Sequence, residues 1–208
     1  PGGHNGLRGD VDDELDAVAE ALSVLPPAEF TAARTARAAE AGGELAKRIK
    51  ALRKPTVAAW AVNLLVADGQ LAEAVELSHA LHEAQHDLDA PELAKLGRQR
   101  RALVAGLARR AAELAADAGT ALSAAAKDDV EKTVNAAIVD ADTGAAVLTG
   151  RLVKAVTADS DFAEAVSGSL AGAPARPAPS RDDLAERRAR KAAEAAARDT
   201  ARAASEAT

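Results

Sequence analysis

Three histidines and a glutamate stand close together near the middle of the chain, and their spacing could serve metal chemistry. They are His79, His82, Glu83 and His86. On an α-helix, residues three or four apart share a face, so two imidazoles could hold one zinc ion while the carboxylate acts as a general base. The same residues also suit the solvated side of an amphipathic helix. We predict the solvated face, with no metal and no cofactor.

Residues 82–86, HEAQH, resemble the H-E-x-x-H motif of zincin metallopeptidases. The resemblance implies zinc ligation by His82 and His86 and catalysis by Glu83. It covers five residues. Asp87 follows where zincins usually carry an uncharged residue, and the glycine and third histidine of the longer metzincin motif are missing. A zinc-dependent hydrolase is therefore kept only as an alternative function.

Basic side chains form a second group that could bind a ligand, in this case phosphate. The candidates for nucleic-acid contacts are Lys47, Arg48, Lys50, Arg53, Lys54, Arg98 and Arg101. If their helices present them on one side, they could neutralise phosphates in a salt-dependent, sequence-neutral way. However, an aromatic content of 1% disfavours base stacking, and we find no helix-turn-helix, zinc-finger or basic-zipper pattern.

Charge alternates in blocks along the chain, although the net charge is −6. Residues 1–29 and 55–97 are acidic, whereas residues 30–54 and 98–118 are basic. Alternation of this kind indicates that neighbouring helices neutralise each other. We prefer that interpretation and keep an accessory nucleic-acid-binding function as an alternative.

The elements that must position these groups are organised around one corner, at Pro55 and Thr56. The proline ends a basic helix, and Thr56 can cap the next helix by accepting from its free N–H groups. From Val57 to Ala67 the only polar residue is Asn63. A helix that is apolar all round belongs inside a bundle. We expect Pro55, Thr56, Trp60 and Asn63 to have structural roles.

Helical periodicity continues on both sides of this corner, which predicts an all-α, multi-helix bundle with a central apolar helix. Asp89 to Glu92 forms a capping box for a long helix with one leucine seam, and Ser123 can cap the next. Asp142 or Thr143 is expected to cap a further helix through Val147, Leu148, Leu152 and Val156, and a last one spans about 162–170.

We divide the chain into four parts. Residues 1–9 are expected to be a disordered extension, 10–171 the bundle domain, 172–180 a linker of proline and alanine, and 181–208 a charged single helix or the start of a coiled coil. The sequence contains no Met, which suggests either a fragment of a longer protein or a translated open frame.

Two blocks carry a resemblance to a family of uncharacterised actinobacterial proteins. Phe30 to Arg34 starts the first block, which continues through Leu45 and the Lys54-Pro55-Thr56 corner to Asn63. The second comprises residues 98–104 and 150–152. The resemblance runs from about Asp12 to Phe162. It implies an α-helical domain followed by an Ala, Glu and Arg-rich coiled-coil region. Some members are loosely labelled as transposases, but the acidic triad of that activity has no counterpart here.

Composition completes the functional prediction. The chain has no cysteine, which fits a reducing cytoplasm, and no apolar run of membrane length. No catalytic residue set stands out. We therefore predict a non-enzymatic cytoplasmic helical interaction or scaffold protein that self-associates or binds a protein partner, and that does not bind membranes.

Overall fold

The computed structural model describes residues 4–83, 89–157 and 159–168, and it confirms the all-α helical bundle. Within these residues the helices are α1 His4–Ser23, α2 Phe30–Ala41, α3 Gly43–Ala51, α4 Val57–Asp68, α5 Gln70–Glu83, α6 Ala90–Asp117, α7 Ala124–Val139, α8 Ala141–Leu148 and α9 Phe162–Ala165.

Side-chain caps begin several of these helices where the sequence predicts them. The Thr56 hydroxyl accepts from the Ala59 N–H at 3.2 Å at the start of α4. Asp89 and Glu92 form the full capping box of α6, and Ser123 caps α7. Each cap satisfies a backbone donor that would otherwise lack a partner, and so fixes where the helix begins.

Helix α4 occupies the centre of the larger of two hydrophobic clusters. Seven of its residues are buried, on all sides of the helix. The helices α5, α6, α7 and α8 all pack against it, as its lack of a polar face requires. Close packing is possible because α4 and its neighbours contribute many alanines, including Ala59, Ala61, Ala111 and Ala137.

The second cluster is formed by α1, α2 and α3. Its buried residues include Leu15, Leu22, Phe30, Ile49 and Leu52. Helix α3 packs against α2 and α1. The described part of the chain therefore contains two apolar cores, a three-helix layer at the N-terminal side and a body that begins at α4.

The structure differs from the sequence prediction at the start of α1 and after α8. Residues 4–9 are helical and form the start of α1, although we expected a disordered extension over residues 1–9. Helix α8 is capped by Asp140 rather than by Asp142 or Thr143, and it ends at Leu148. Gly150 then turns the chain at a φ of +68°, so Leu152 is not helical. It lies in an extended segment that forms an antiparallel bridge with Val166.

Other expectations fall outside the described residues. They include the end of the histidine-bearing helix at 84–88, the linker at 172–180 and the charged helix at 181–208. Within the described residues, helix α9 is shorter than the predicted span of about 162–170: it covers only Phe162–Ala165, with Asp161 as its cap, and Val166 after it is extended. Among the described helices, none combines the length and apolar character needed to cross a bilayer.

Candidate functional site

The amide of Asn63 is the polar centre of the body. It is fully buried, and its Nδ2 donates to the Leu152 carbonyl at 2.9 Å while its Oδ1 accepts from the Leu152 N–H at 2.9 Å. Nδ2 also lies 3.5 Å from the Ser23 carbonyl. The Asn63 amide thus pairs with both backbone groups of a buried residue, as a neighbouring strand would. It fixes the 151–153 segment against α4.

Trp60 and Thr56 attach α4 to other parts of the chain. The Trp60 indole is 1% exposed, and its Nε1 donates to the Val24 carbonyl at 3.2 Å. The Thr56 N–H donates to the Val153 carbonyl at 2.8 Å. Pro55 is buried beside them. The four residues that we predicted to be structural therefore lie together where α4 meets the loop after α1 and the 151–153 segment.

A buried ion pair extends this junction. Arg151 is 4% exposed, donates from Nη1 to Asp16 of α1, and also donates to the Ser167 carbonyl at 3.1 Å. The neighbouring Gly168 has a φ of +94°, and a Cβ there would lie 2.5 Å from Arg151 Nη1. A buried guanidinium needs a carboxylate and further acceptors. Arg151 has both, which is typical of a structural joint. We call the junction of Trp60, Asn63 and Arg151 with their partners the polar joint.

The histidine group is only partly described. His79, His82 and Glu83 belong to α5, whereas His86 lies outside the described residues. His79 is half-buried, and its Nε2 has no hydrogen-bond partner among the described residues. His82 is exposed. No group of three potential metal ligands is present among the described residues. The zinc hypothesis stays untested, and elemental analysis of protein purified without a histidine tag would test it directly.

The first basic cluster is partly neutralised by carboxylates inside the chain. Arg48 pairs with Asp12 of α1 at 2.6 Å, and Lys47 pairs with Glu44 at 3.2 Å. Arg53 donates to the Glu164 carbonyl. Lys50 and Lys54 are exposed and form no ion pair with the described residues.

Pairing between charge blocks also occurs at the C-terminal end of α4. Arg110 of α6 binds both carboxylate oxygens of Asp68, at 2.8 and 3.3 Å. This hydrogen bonding lowers the pKa of Asp68 and raises that of Arg110. The Arg48–Asp12 and Arg110–Asp68 pairs each join a basic block to an acidic one. The predicted complementarity between neighbouring blocks is confirmed at these two contacts.

The second basic cluster is not joined to the first. Arg98 and Arg101 lie on α6, which packs against α4, α5 and α7, whereas α3 packs against α1 and α2. Both arginines are exposed. Arg101 lines a shallow groove of about 200 Å³ between α6 and α7, together with Asp128, Glu131 and Lys132. The groove carries both signs of charge, so it lacks the uniformly positive surface that phosphate binding needs.

Leucines on α5 and α6 form a feature that periodicity alone did not reveal. The buried residues of α5 are Leu71, Ala74 and Val75, yet Leu77 is 59% exposed and Leu81 is 43% exposed. These two leucines lie four residues apart and off the buried stripe. The sequence did contain a signal for this exposure. Leu77 follows the buried Leu71 by six residues, and residues six apart lie on different sides of a helix.

The first half of α6 also lies outside the bundle core. Between residues 90 and 102 no residue of this helix is buried, and the buried seam begins only at Val104. Leu93 is 45% exposed, and Leu96 is half-buried without packing on the core. Part of the predicted leucine seam therefore lies beyond the bundle core. We call residues 90–102 the α6 arm.

Comparison with known proteins gives no match for this chain among protein-family models, curated proteins or solved structures. The resemblance to the actinobacterial family therefore stays a prediction. The candidate site must be judged from its own geometry.

Proposed function

We propose that this chain is a non-enzymatic helical interaction protein of the cytoplasm, which acts by binding other protein chains. The observation that carries the proposal is the set of exposed leucines on α5 and the α6 arm, Leu77, Leu81 and Leu93. Single exposed apolar residues are common, but several on neighbouring helical segments are typical of interaction surfaces. A helix that presents apolar residues four apart is a usual element of helix-mediated recognition.

The polar joint supports the same proposal because it makes the scaffold rigid. Its side chains are saturated by partners within the chain, as the bonds of Asn63 and Arg151 show. Such groups hold a scaffold in one arrangement. A rigid scaffold keeps the outer residues of α5 and α6 in fixed positions, which lowers the entropic cost of binding.

A site-specific crosslinking experiment tests this function. A photoreactive amino acid replaces Ala80, which is exposed between Leu77 and Leu81, and a matched control replaces exposed Ala36 on α2. Irradiation of cells that produce the protein is expected to give a protein adduct from position 80 and none from position 36. If neither position yields a protein adduct, the proposed interaction function is refuted.

Accessory nucleic-acid binding is a second candidate, and one observation favours it. Lys95, Arg98, Arg100 and Arg101 are exposed on the α6 arm and form no ion pair with the described residues. An electrophoretic shift at low salt that disappears as salt rises would support this function. Absence of a shift at low salt would refute it.

A further inference from the structure

We infer that α5 and the α6 arm form a self-complementary surface whose occupant is a second copy of this chain. The inference rests on the proposed interaction function and names its partner. The outer face of α5 is defined by Glu73, Glu76, Leu77, Ala80 and Leu81, all of which are exposed.

The two halves of the surface carry opposite charge. Helix α5 contains three glutamates and no Lys or Arg, whereas the α6 arm contains four basic residues and one acidic residue. On α5, Glu73 and Glu76 lie next to the exposed leucines. On the arm, Arg100 follows Leu96 by four residues and Leu93 by seven, so it lies on the same side of the helix as both leucines, and Arg101 is exposed next to it. Each half therefore combines apolar residues with one sign of charge.

This arrangement suits a two-fold dimer. In a two-fold interface the same surface is used by both copies, so every contact occurs twice. The acidic face of α5 in one copy can lie against the basic arm of the other, and the reverse contact forms at the same time. The leucines lie between these charges and lose solvent exposure on pairing. A partner of uniform charge would match only one half of the surface and would be repelled by the other.

The size of the surface sets the expected strength. The arm spans about 20 Å at 1.5 Å per residue, and the outer face of α5 from Glu73 to Leu81 spans about 12 Å. Two such helical segments form a surface toward the lower end of stable interfaces, which bury about 1,200–2,000 Å² in total. We therefore expect a reversible dimer with a dissociation constant of about 1–100 μM.

Sedimentation velocity of the full chain over a concentration series of about 1 μM to 1 mM measures this equilibrium. Leu77→Gln combined with Leu81→Gln is expected to weaken the dimer at least about tenfold, because these side chains lie outside the buried core. Circular dichroism checks that each variant keeps its helices. An unchanged dissociation constant in the folded double variant would overturn the inference.

Charge reversal gives a sharper test, since it includes a rescue. Glu73→Lys with Glu76→Lys, or Arg100→Glu with Arg101→Glu, should each weaken the dimer of the full chain. In an equimolar mixture, one variant carries two basic faces and the other carries two acidic faces. Both contacts of a mixed dimer then join opposite charges, so the mixed dimer should form. The matched control reverses Lys47 and Lys50 of α3 to Glu and should leave dimerisation unchanged. Failure of the mixture to associate more strongly than either variant alone would contradict the arrangement.

Zero-length carbodiimide crosslinking identifies the contact. The reagent joins an amine to a carboxylate, and Arg100→Lys places an amine on the leucine side of the arm. A mixture of unlabelled and ¹⁵N-labelled copies of this variant should give links from position 100 to Glu73 or Glu76 that combine both isotopes. Links confined to one isotope would show contact within one chain and would overturn the inference.

The outcomes also separate this inference from the proposed function. A chain that stays monomeric to about 1 mM, yet gives a protein adduct from position 80, refutes self-pairing and retains the interaction function. A monomer that shifts a nucleic-acid probe, with the shift lost in the Arg100→Glu and Arg101→Glu variant, overturns self-pairing in favour of nucleic-acid binding.

Discussion

Replacing Asn63 by alanine tests the polar joint most directly. The change removes both partners of Leu152, whose N–H and carbonyl groups lie in the buried interior. A buried backbone group left without a hydrogen bond costs about 1–3 kcal/mol. Two such groups give an expected loss of about 2–6 kcal/mol in the free energy of unfolding. That is a large share of the roughly 5–15 kcal/mol typical of a folded domain.

Urea denaturation followed by circular dichroism and by tryptophan fluorescence measures this loss. Trp60 is the only tryptophan, and it lies one helical turn before Asn63, so its emission reports on α4 itself. The control is Asn135→Ala, at an exposed asparagine of α7, which should change stability by less than about 0.5 kcal/mol. A loss below about 1 kcal/mol for Asn63→Ala would show that Leu152 finds other partners, and would refute the structural role of the amide.

Three further predictions concern other parts of the body. Trp60→Ala should lower the free energy of unfolding by about 3–5 kcal/mol in urea denaturation, and a loss under about 1 kcal/mol would contradict its burial. Gly144→Ala should cost about 1–3 kcal/mol, because a Cβ would lie 2.8 Å from the Ala137 carbonyl oxygen; unchanged thermal stability would argue against this close approach. Hydrogen bonding from Arg110 lowers the pKa of Asp68 below the ordinary value of 3.8, so the pair stabilises the fold above that value and this stabilisation is lost as pH falls through the lowered pKa. Stability of Asp68→Asn should therefore fall less than that of the wild type between pH 5 and pH 2.5, and parallel pH profiles would disprove the linkage.

Local signals in the sequence predicted the helices well where a cap or a glycine marks the end. Thr56, Asp89 and Ser123 accept the backbone hydrogen bonds expected of them. These interactions join residues three apart, so their geometry follows from the helix itself. The apolar character of α4 likewise predicted its central position, because no side of it could face water.

The error at α8 has a different cause. Val147, Leu148, Leu152 and Val156 have helical spacing, but the same apolar residues can be buried in an extended segment. The extended conformation is favoured because Gly150 takes a positive φ and the Asn63 amide bonds to both backbone groups of Leu152. Those bonds connect residues 89 positions apart, and no local pattern encodes such a pairing.

The exposure of the leucines on the α6 arm could not be predicted from the sequence, for a related reason. A leucine seam predicts which side of α6 is apolar, but it does not say how far the rest of the bundle extends along that side. Only the packing of α4 and α7 shows that burial begins at Val104. The sequence thus predicted the apolar face and left its exposure at Leu93 undetermined.

The separation of the two apolar cores has a consequence for how the molecule opens. The three-helix layer and the body do not share one hydrophobic cluster, and the polar joint bonds Val24, Ser23 and Asp16 of the first to Trp60, Asn63 and Arg151 of the second. A contact made of a few directed bonds is lost all at once when it is strained, whereas broad apolar contact yields gradually. Native-state hydrogen exchange should therefore show α1 to α3 opening as one cooperative unit, at a lower free energy than α4 and α7. Amide protection of the same magnitude in both groups of helices would indicate a single unfolding unit.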